Sequence, residues 1–191
     1  VLEAINKTTA AGVRIVGPQS LGLMTPSEGL NLSYLPSLPP AGEVGLVSQS
    51  PGLSCTIIDY VTNAQCGFSH VIDPGFEQVL TVADYVDMLA FDRKTRCIVL
   101  YLESFQQPRK LLSAIRLAAA NKPVILLKGG QTPGSADIVI NNSGAREDED
   151  GVMKRALVRA GALLVTSLKE LNYAVQAFAM RKDLASGELY G

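Results

Sequence analysis

The residues of this chain that could do chemistry fall in short loops directly after apolar runs. Ser48-Gln49-Ser50-Pro51-Gly52 joins one such run to a helical pattern through small polar side chains. Ser50 suits an N-cap and Pro51 the first helical position. The free main-chain N–H groups and the dipole at such a start attract an anion, although Pro51 supplies no N–H. The same residues equally describe a helix that is only well capped. Glu103 directly follows the apolar run 98–102. A carboxylate at the end of a buried strand points to a function more than one on a helix face does. Asp73-Pro74-Gly75-Phe76 and Lys128-Gly129-Gly130 read as turn chemistry. Asn141-Asn142-Ser143-Gly144-Ala145 precedes a helix whose acidic opening, 147–150, complements the helix dipole. His70 is the single histidine, inside an apolar run, and reads as a packed core residue. One histidine leaves little basis for a zinc site or a Ser-His-Asp triad.

These loops need elements to hold them. From residue 42 onward, apolar runs at 44–47, 68–72, 97–102, 123–127 and 162–165 alternate with helical patterns. The helical patterns cover 51–65, 81–90, 108–120, 147–160 and 167–180. β-Branched runs without polar alternation predict strands buried on both faces. Their alternation with helices through short loops predicts a parallel sheet with right-handed crossovers. The expected fold is a doubly wound, flavodoxin-like α/β domain, in which ligands bind outside the carboxyl ends of the strands. Upstream, residues 1–11 read as a helix without a beginning, as in a piece of a longer polypeptide. Residues 13–16 read as a short strand, and the proline-rich stretch 25–43 as a linker with one extended piece at 30–34.

Composition narrows the partners. The chain has 191 residues and a net charge of −1, with no basic excess to recruit nucleic acid. No apolar run approaches the roughly 20 residues of a membrane span. Cys55, Cys66 and Cys97 lie in apolar segments without CxxC spacing and read as reduced thiols of a cytoplasmic protein.

Six segments occur in a specific order: VGPQSLGL at 16–23, EVGLVSQSPGLS at 43–54, GFSHVIDPG at 67–75, IVLYLES at 98–104, NKPVILLKGG at 121–130, and NNSGA at 141–145 followed by RAGALLV at 159–165. On these the chain resembles the NDP-forming acyl-CoA synthetases, the family that includes the succinyl-CoA synthetase α-subunit. The resemblance implies that residues 1–24 end a CoA-binding Rossmann-like domain and that 25–43 are a linker. It implies that 44–180 are the flavodoxin-like domain and 181–191 a tail or the next linker. It places Gly17, Pro18 and Ser20 near the pantetheine of CoA. Ser48, Ser50 and Gly52, with Ser143 and Gly144, match phosphate-binding positions. Glu103 matches the carboxylate that orients a phosphorylated histidine.

Three departures from that family's pattern accompany the match. The active loop of the family typically reads S-H-T-G-A, and Asn142 stands in the histidine's place. A carboxamide nitrogen is not nucleophilic and cannot carry a phosphoryl group. Pro51 replaces a glycine of the phosphate loop. Asp73-Pro74-Gly75-Phe76 replaces S-L-G-N. Asp73 and the acidic residues 147–150 would bring negative charge toward the phosphate. Two like charges about 6 Å apart cost about 3 kcal/mol at an effective dielectric near 20.

The expected function is therefore a catalytically degenerate synthetase module. It resembles the synthetase-like region of bacterial GNAT-type protein lysine acetyltransferases, where such a region responds to acyl-CoA. CoA or acyl-CoA, and ATP or ADP, are the ligands implied for the full-length protein, and the partners this resemblance implies are CoA-binding, ATP-grasp and GNAT domains of the same polypeptide. The alternatives are a domain of an active acid–thiol ligase and a structural or interaction domain.

Overall fold

The structure, a computed structural model, describes residues 2–129 and 147–179. Helix α1 (Leu2–Ala10) precedes an antiparallel hairpin of β1 (Gly22–Thr25) and β2 (Leu30–Ser33). The main body follows as β3 (Ala41–Ser48), α2 (Pro51–Asn63), β4 (Phe68–Ile72), α3 (Val82–Phe91), β5 (Cys97–Leu102), α4 (Pro108–Ala119) and β6 (Val124–Lys128). It ends in α5 (Glu147–Arg159), β7 (Leu163–Val165) and α6 (Leu168–Ala179).

The sheet order is β2-β1-β4-β3-β5-β6-β7. All pairings from β4 to β7 are parallel. Counted among themselves, the five parallel strands run 2-1-3-4-5, the flavodoxin-like order. The doubly wound fold read from the sequence is thus the fold observed.

β5 shows why both faces must be covered. All six of its residues are buried. Ile98, Leu100 and Leu102 join the core formed with Val86 and Leu89 of α3 and Leu111 and Ile115 of α4. Cys97, Val99 and Tyr101 join the opposite core, with Ile57 and Val61 of α2 and Leu171 and Val175 of α6. Successive side chains of a strand point to opposite faces, so a continuous apolar run needs helices on both sides.

The N-terminal third differs from expectation. Residues 13–16 form no strand; Val13 is exposed and Val16 packs on the core. The strand lies instead at Gly22–Thr25, between β2 and β4 and antiparallel to each. The extended piece expected at 30–34 within the stretch 25–43 is present as the edge strand Leu30–Ser33, and that stretch ends early, since β3 already begins at Ala41. Local pattern is weak here because the strands are only four residues long. Gly22 permits the close pairing. Its φ is +113°, and a Cβ there would lie 2.1 Å from the Leu32 carbonyl oxygen. Among the described residues, no helix is long and apolar enough to cross a membrane.

Candidate functional site at the switch point of the sheet

β4 lies on one side of β3 and β5 on the other, so the chain reverses its winding direction at the β3/β5 edge. The loops after these two strands open a crevice there. Ser50 begins the first wall. Its backbone is extended, and its side chain accepts a hydrogen bond from the Leu53 N–H at 3.4 Å. Pro51 occupies the first turn of α2, where its missing N–H has no intrahelical acceptor to satisfy. Gly52 is exposed at this helix start. Ser48 turns inward. It is fully buried, its hydroxyl donates to the Ser50 carbonyl at 3.1 Å, and it accepts from the Ser50 N–H at 3.3 Å. It shapes the loop without lining the crevice.

Glu103 forms the second wall. Burial pushes its carboxyl up, while the Tyr101 hydroxyl, which donates to it at 3.3 Å, and the nearby Lys128 charge pull it down; the net shift is upward. Lys128 is 2% exposed and donates to the carbonyls of Glu103 at 3.1 Å and Gly129 at 2.9 Å. Its ammonium also lies 5.4 Å from the centre of the Phe105 ring.

The third wall joins two loops far apart in sequence. Asp73 is fully buried and accepts from the Leu21 N–H at 2.7 Å and the Gly75 N–H at 2.9 Å. The Ser20 hydroxyl donates to the Asp73 carbonyl at 2.5 Å, and the Phe76 N–H donates to the Pro18 carbonyl at 3.0 Å. Gly75, with φ +59°, makes this contact possible: a Cβ would lie 2.2 Å from the Pro18 oxygen. The Asp73 carboxylate is therefore spent on main-chain donors. Its negative charge still reaches the crevice, where it adds to the upward push on the Glu103 carboxyl. Burial raises the Asp73 carboxyl above the usual range even though both N–H groups favour the charged form.

Between these walls lie two cavities. One, of about 260 Å³, is lined by Gln49, Gly75, Phe76, Glu77, Gln78, Glu103, Ser104 and Gln106. The other, of about 420 Å³, is lined by Gln19, Ser20, Tyr34, Gln49, Ser50, Pro51, Gly75, Phe76 and Glu103. Ser20, Ser50 and Glu103, singled out from the sequence, thus face one space. Gly17 is buried behind it, and Pro18 lines a third cavity of about 510 Å³ on the hairpin side, together with Ser20. No lysine, arginine or histidine lines the first two cavities among the described residues. A phosphate there would depend on the start of α2 and on hydroxyls. Asn142, Ser143 and Gly144 lie outside the described residues, as do the side chains of the acidic run 147–150.

Gln49, Phe76 and Glu77 line the crevice, yet the sequence marks neither Gln49 nor Glu77 as a site residue. Phe76 was visible only as a departure from a motif. Gln49 sits between two serines that drew attention from it. Glu77 was hidden in a turn, its signal being an acid five residues ahead of a helix. His70 lies mid-strand, its Nδ1 3.2 Å from the Thr25 hydroxyl and its Nε2 3.3 Å from Asp92 Oδ2, and lines neither cavity.

Comparison with known proteins places this geometry. The succinyl-CoA ligase like flavodoxin domain matches residues 41–178. An ADP-forming acetate–CoA ligase of Methanocaldococcus jannaschii is 29% identical over 93% of this chain and 25% of its own length. An ADP-forming 4-hydroxybutyrate–CoA ligase of Nitrosopumilus maritimus is 29% identical over 98% of this chain and 27% of its own. The chain spans about a quarter of the length of these curated relatives. Among solved structures, an acetyl-coenzyme A synthetase of Ca. Korarchaeum cryptofilum in complex with phosphate and ADP has the same fold. Its TM-score is 0.80 at 24% identity, over 89% of this chain and 37% of that one. The chain belongs to the succinyl-CoA ligase like flavodoxin domain family, and is an NDP-forming acyl-CoA synthetase-like domain.

Proposed function

We propose that this domain helps a longer cytoplasmic polypeptide bind acyl-CoA without carrying a phosphoryl group itself. The observation that carries the reading is Asn142, which on the resemblance of the NNSGA segment stands where the family has its phosphorylated histidine. A carboxamide offers no nucleophile. The crevice agrees in its chemistry: both cavities lack a cationic side chain among the described residues, and Glu103 faces each of them. Ser20, Ser50 and Phe76 surround the larger space, which suits the acyl end of a thioester better than a dianion. Because β1 pairs within this sheet, only the residues before it would belong to a CoA-binding domain, and ATP or ADP would be held by other domains. In the finer form of the proposal, the module regulates a protein lysine acetyltransferase in response to acyl-CoA.

A second reading, a domain of an active acyl-CoA ligase, is favoured by relatives named as ADP-forming CoA ligases. It requires a phosphoryl acceptor other than Asn142. His70 is the only histidine, and it is engaged by Thr25 and Asp92 within the sheet.

Calorimetry with acetyl-CoA tests the binding reading. The full-length polypeptide, freed of any acetyltransferase domain, should bind acetyl-CoA. Phe76→Ala removes a half-exposed ring from the cavity wall and should change that affinity several-fold. Absence of binding, or an affinity indifferent to Phe76, removes the crevice from the acyl-CoA site.

A further inference from the structure

One chain of hydrogen bonds crosses the crevice through residues to which the family pattern assigns nothing. The Val82 N–H, in the first turn of α3, donates to Glu77 Oε2 at 2.8 Å. The other oxygen of Glu77 accepts from Gln49 Nε2 at 2.5 Å. Gln49 Oε1 accepts from the main-chain N–H groups of Glu103 at 2.6 Å and Ser104 at 3.0 Å. The Gln49 N–H itself donates to the Tyr101 carbonyl at 3.1 Å, which pins the base of the side chain to β5.

The orientation of this carboxamide is dictated by its partners. Turned over, it would set its NH2 against two N–H donors and its oxygen against a carboxylate. Only a side chain with an acceptor at one corner and a donor at the other meets both demands. Gln49 also belongs to the wall shared by the two cavities, with Gly75, Phe76 and Glu103.

We propose that Gln49, held by Glu77, is the positioning residue of this site: its carboxamide fixes the main chain that presents Glu103 and Ser104 to the cavities. The inference goes beyond the proposed function, because it concerns how the crevice is held and not which ligand fills it. A contact needed only for volume would tolerate any side chain of similar size. A positioning contact demands the donor–acceptor pattern, and that pattern can be exchanged between the two residues. Gln49→Glu alone sets two carboxylates against each other. Glu77→Gln alone must either present a donor to the Val82 N–H or lose its bond to Gln49. Together, the two changes restore every bond. The new carboxylate at 49 accepts from the Glu103 and Ser104 N–H groups, while the new carboxamide at 77 donates to it and accepts from Val82.

Residue-resolved hydrogen exchange on the full-length polypeptide, without ligand, reads this directly. Gln49→Ala and Gln49→Glu should each speed exchange at the Glu103 and Ser104 amides about tenfold, the worth of one net hydrogen bond. Val99 and Leu100, in the buried part of β5, report whether each variant is folded and should keep their protection. The Gln49→Glu/Glu77→Gln pair should return Glu103 and Ser104 to near wild-type rates. Unchanged exchange in Gln49→Ala overturns the proposal. So does a swapped pair that exchanges as fast as Gln49→Glu, or that exchanges fast at Val99 and Leu100 as well. Because no ligand is present, failure of acyl-CoA binding leaves this result intact, and the reverse holds.

Discussion

At the scale of single residues, this crevice is held by polar side chains committed to main-chain partners. Asp73 is the clearest case. Besides the negative charge that the sequence suggests, it forms a brace between the loops 17–22 and 73–76. Asp73→Ala would leave the Leu21 and Gly75 N–H groups without their acceptor. A cost of about 3 kcal/mol follows, measurable by urea denaturation. Asp73→Asn should cost less, since its oxygen still satisfies one of the two. Glu103 was legible because it directly follows an unbroken apolar strand. Gln49 and Glu77 were not, because each is defined by partners more than twenty residues away in sequence. No local pattern encodes such a contact.

At the scale of elements, the helix starts that frame the crevice are fixed by their caps. Asp84 accepts from the Thr81 N–H at 2.9 Å and the Thr81 hydroxyl at 2.7 Å, closing the first turn of α3 beside Glu77. Burial pushes the Asp84 carboxyl up, but hydrogen bonds from Lys110 and Thr81 and the Lys110 charge outweigh it, and the net shift is downward. A carboxyl lowered in the folded state adds stability above its unfolded pKa and loses it as pH falls through the folded value. Asp84→Asn keeps one oxygen for both Thr81 bonds and loses their charge assistance, so it should cost about 0.5 kcal/mol at neutral pH. The ion pair with Lys110 is partly exposed and adds little. The difference between wild type and variant, followed by thermal melts, should vanish as pH drops below the carboxylate range. Long elements such as β5 and α4 were legible from their apolar patterns. Of the β1–β2 hairpin only the second strand was legible, as an extended piece; Gly22–Thr25 is four residues long, and only its pairing with β2 and β4 marks it as a strand.

At the scale of the whole molecule, the two-sided sheet explains why a site can change while its scaffold stays. The apolar strands and their five covering helices build the core independently of the loops at the carboxyl ends. Pro51 and Phe76, in those loops, lie outside that core. The fold was therefore readable from alternation alone, whereas the proposed function turns on a few loop residues. On the proposed function, no phosphoryl group resides on this domain. Incubating the full-length protein with radiolabelled ATP, and separately with acyl-CoA plus labelled phosphate, tests it most directly. Neither incubation should leave an acid-labile, base-stable label on this domain, and Asn142→His should gain one if the surrounding pocket survives. Such a label on the wild-type domain would contradict the claim.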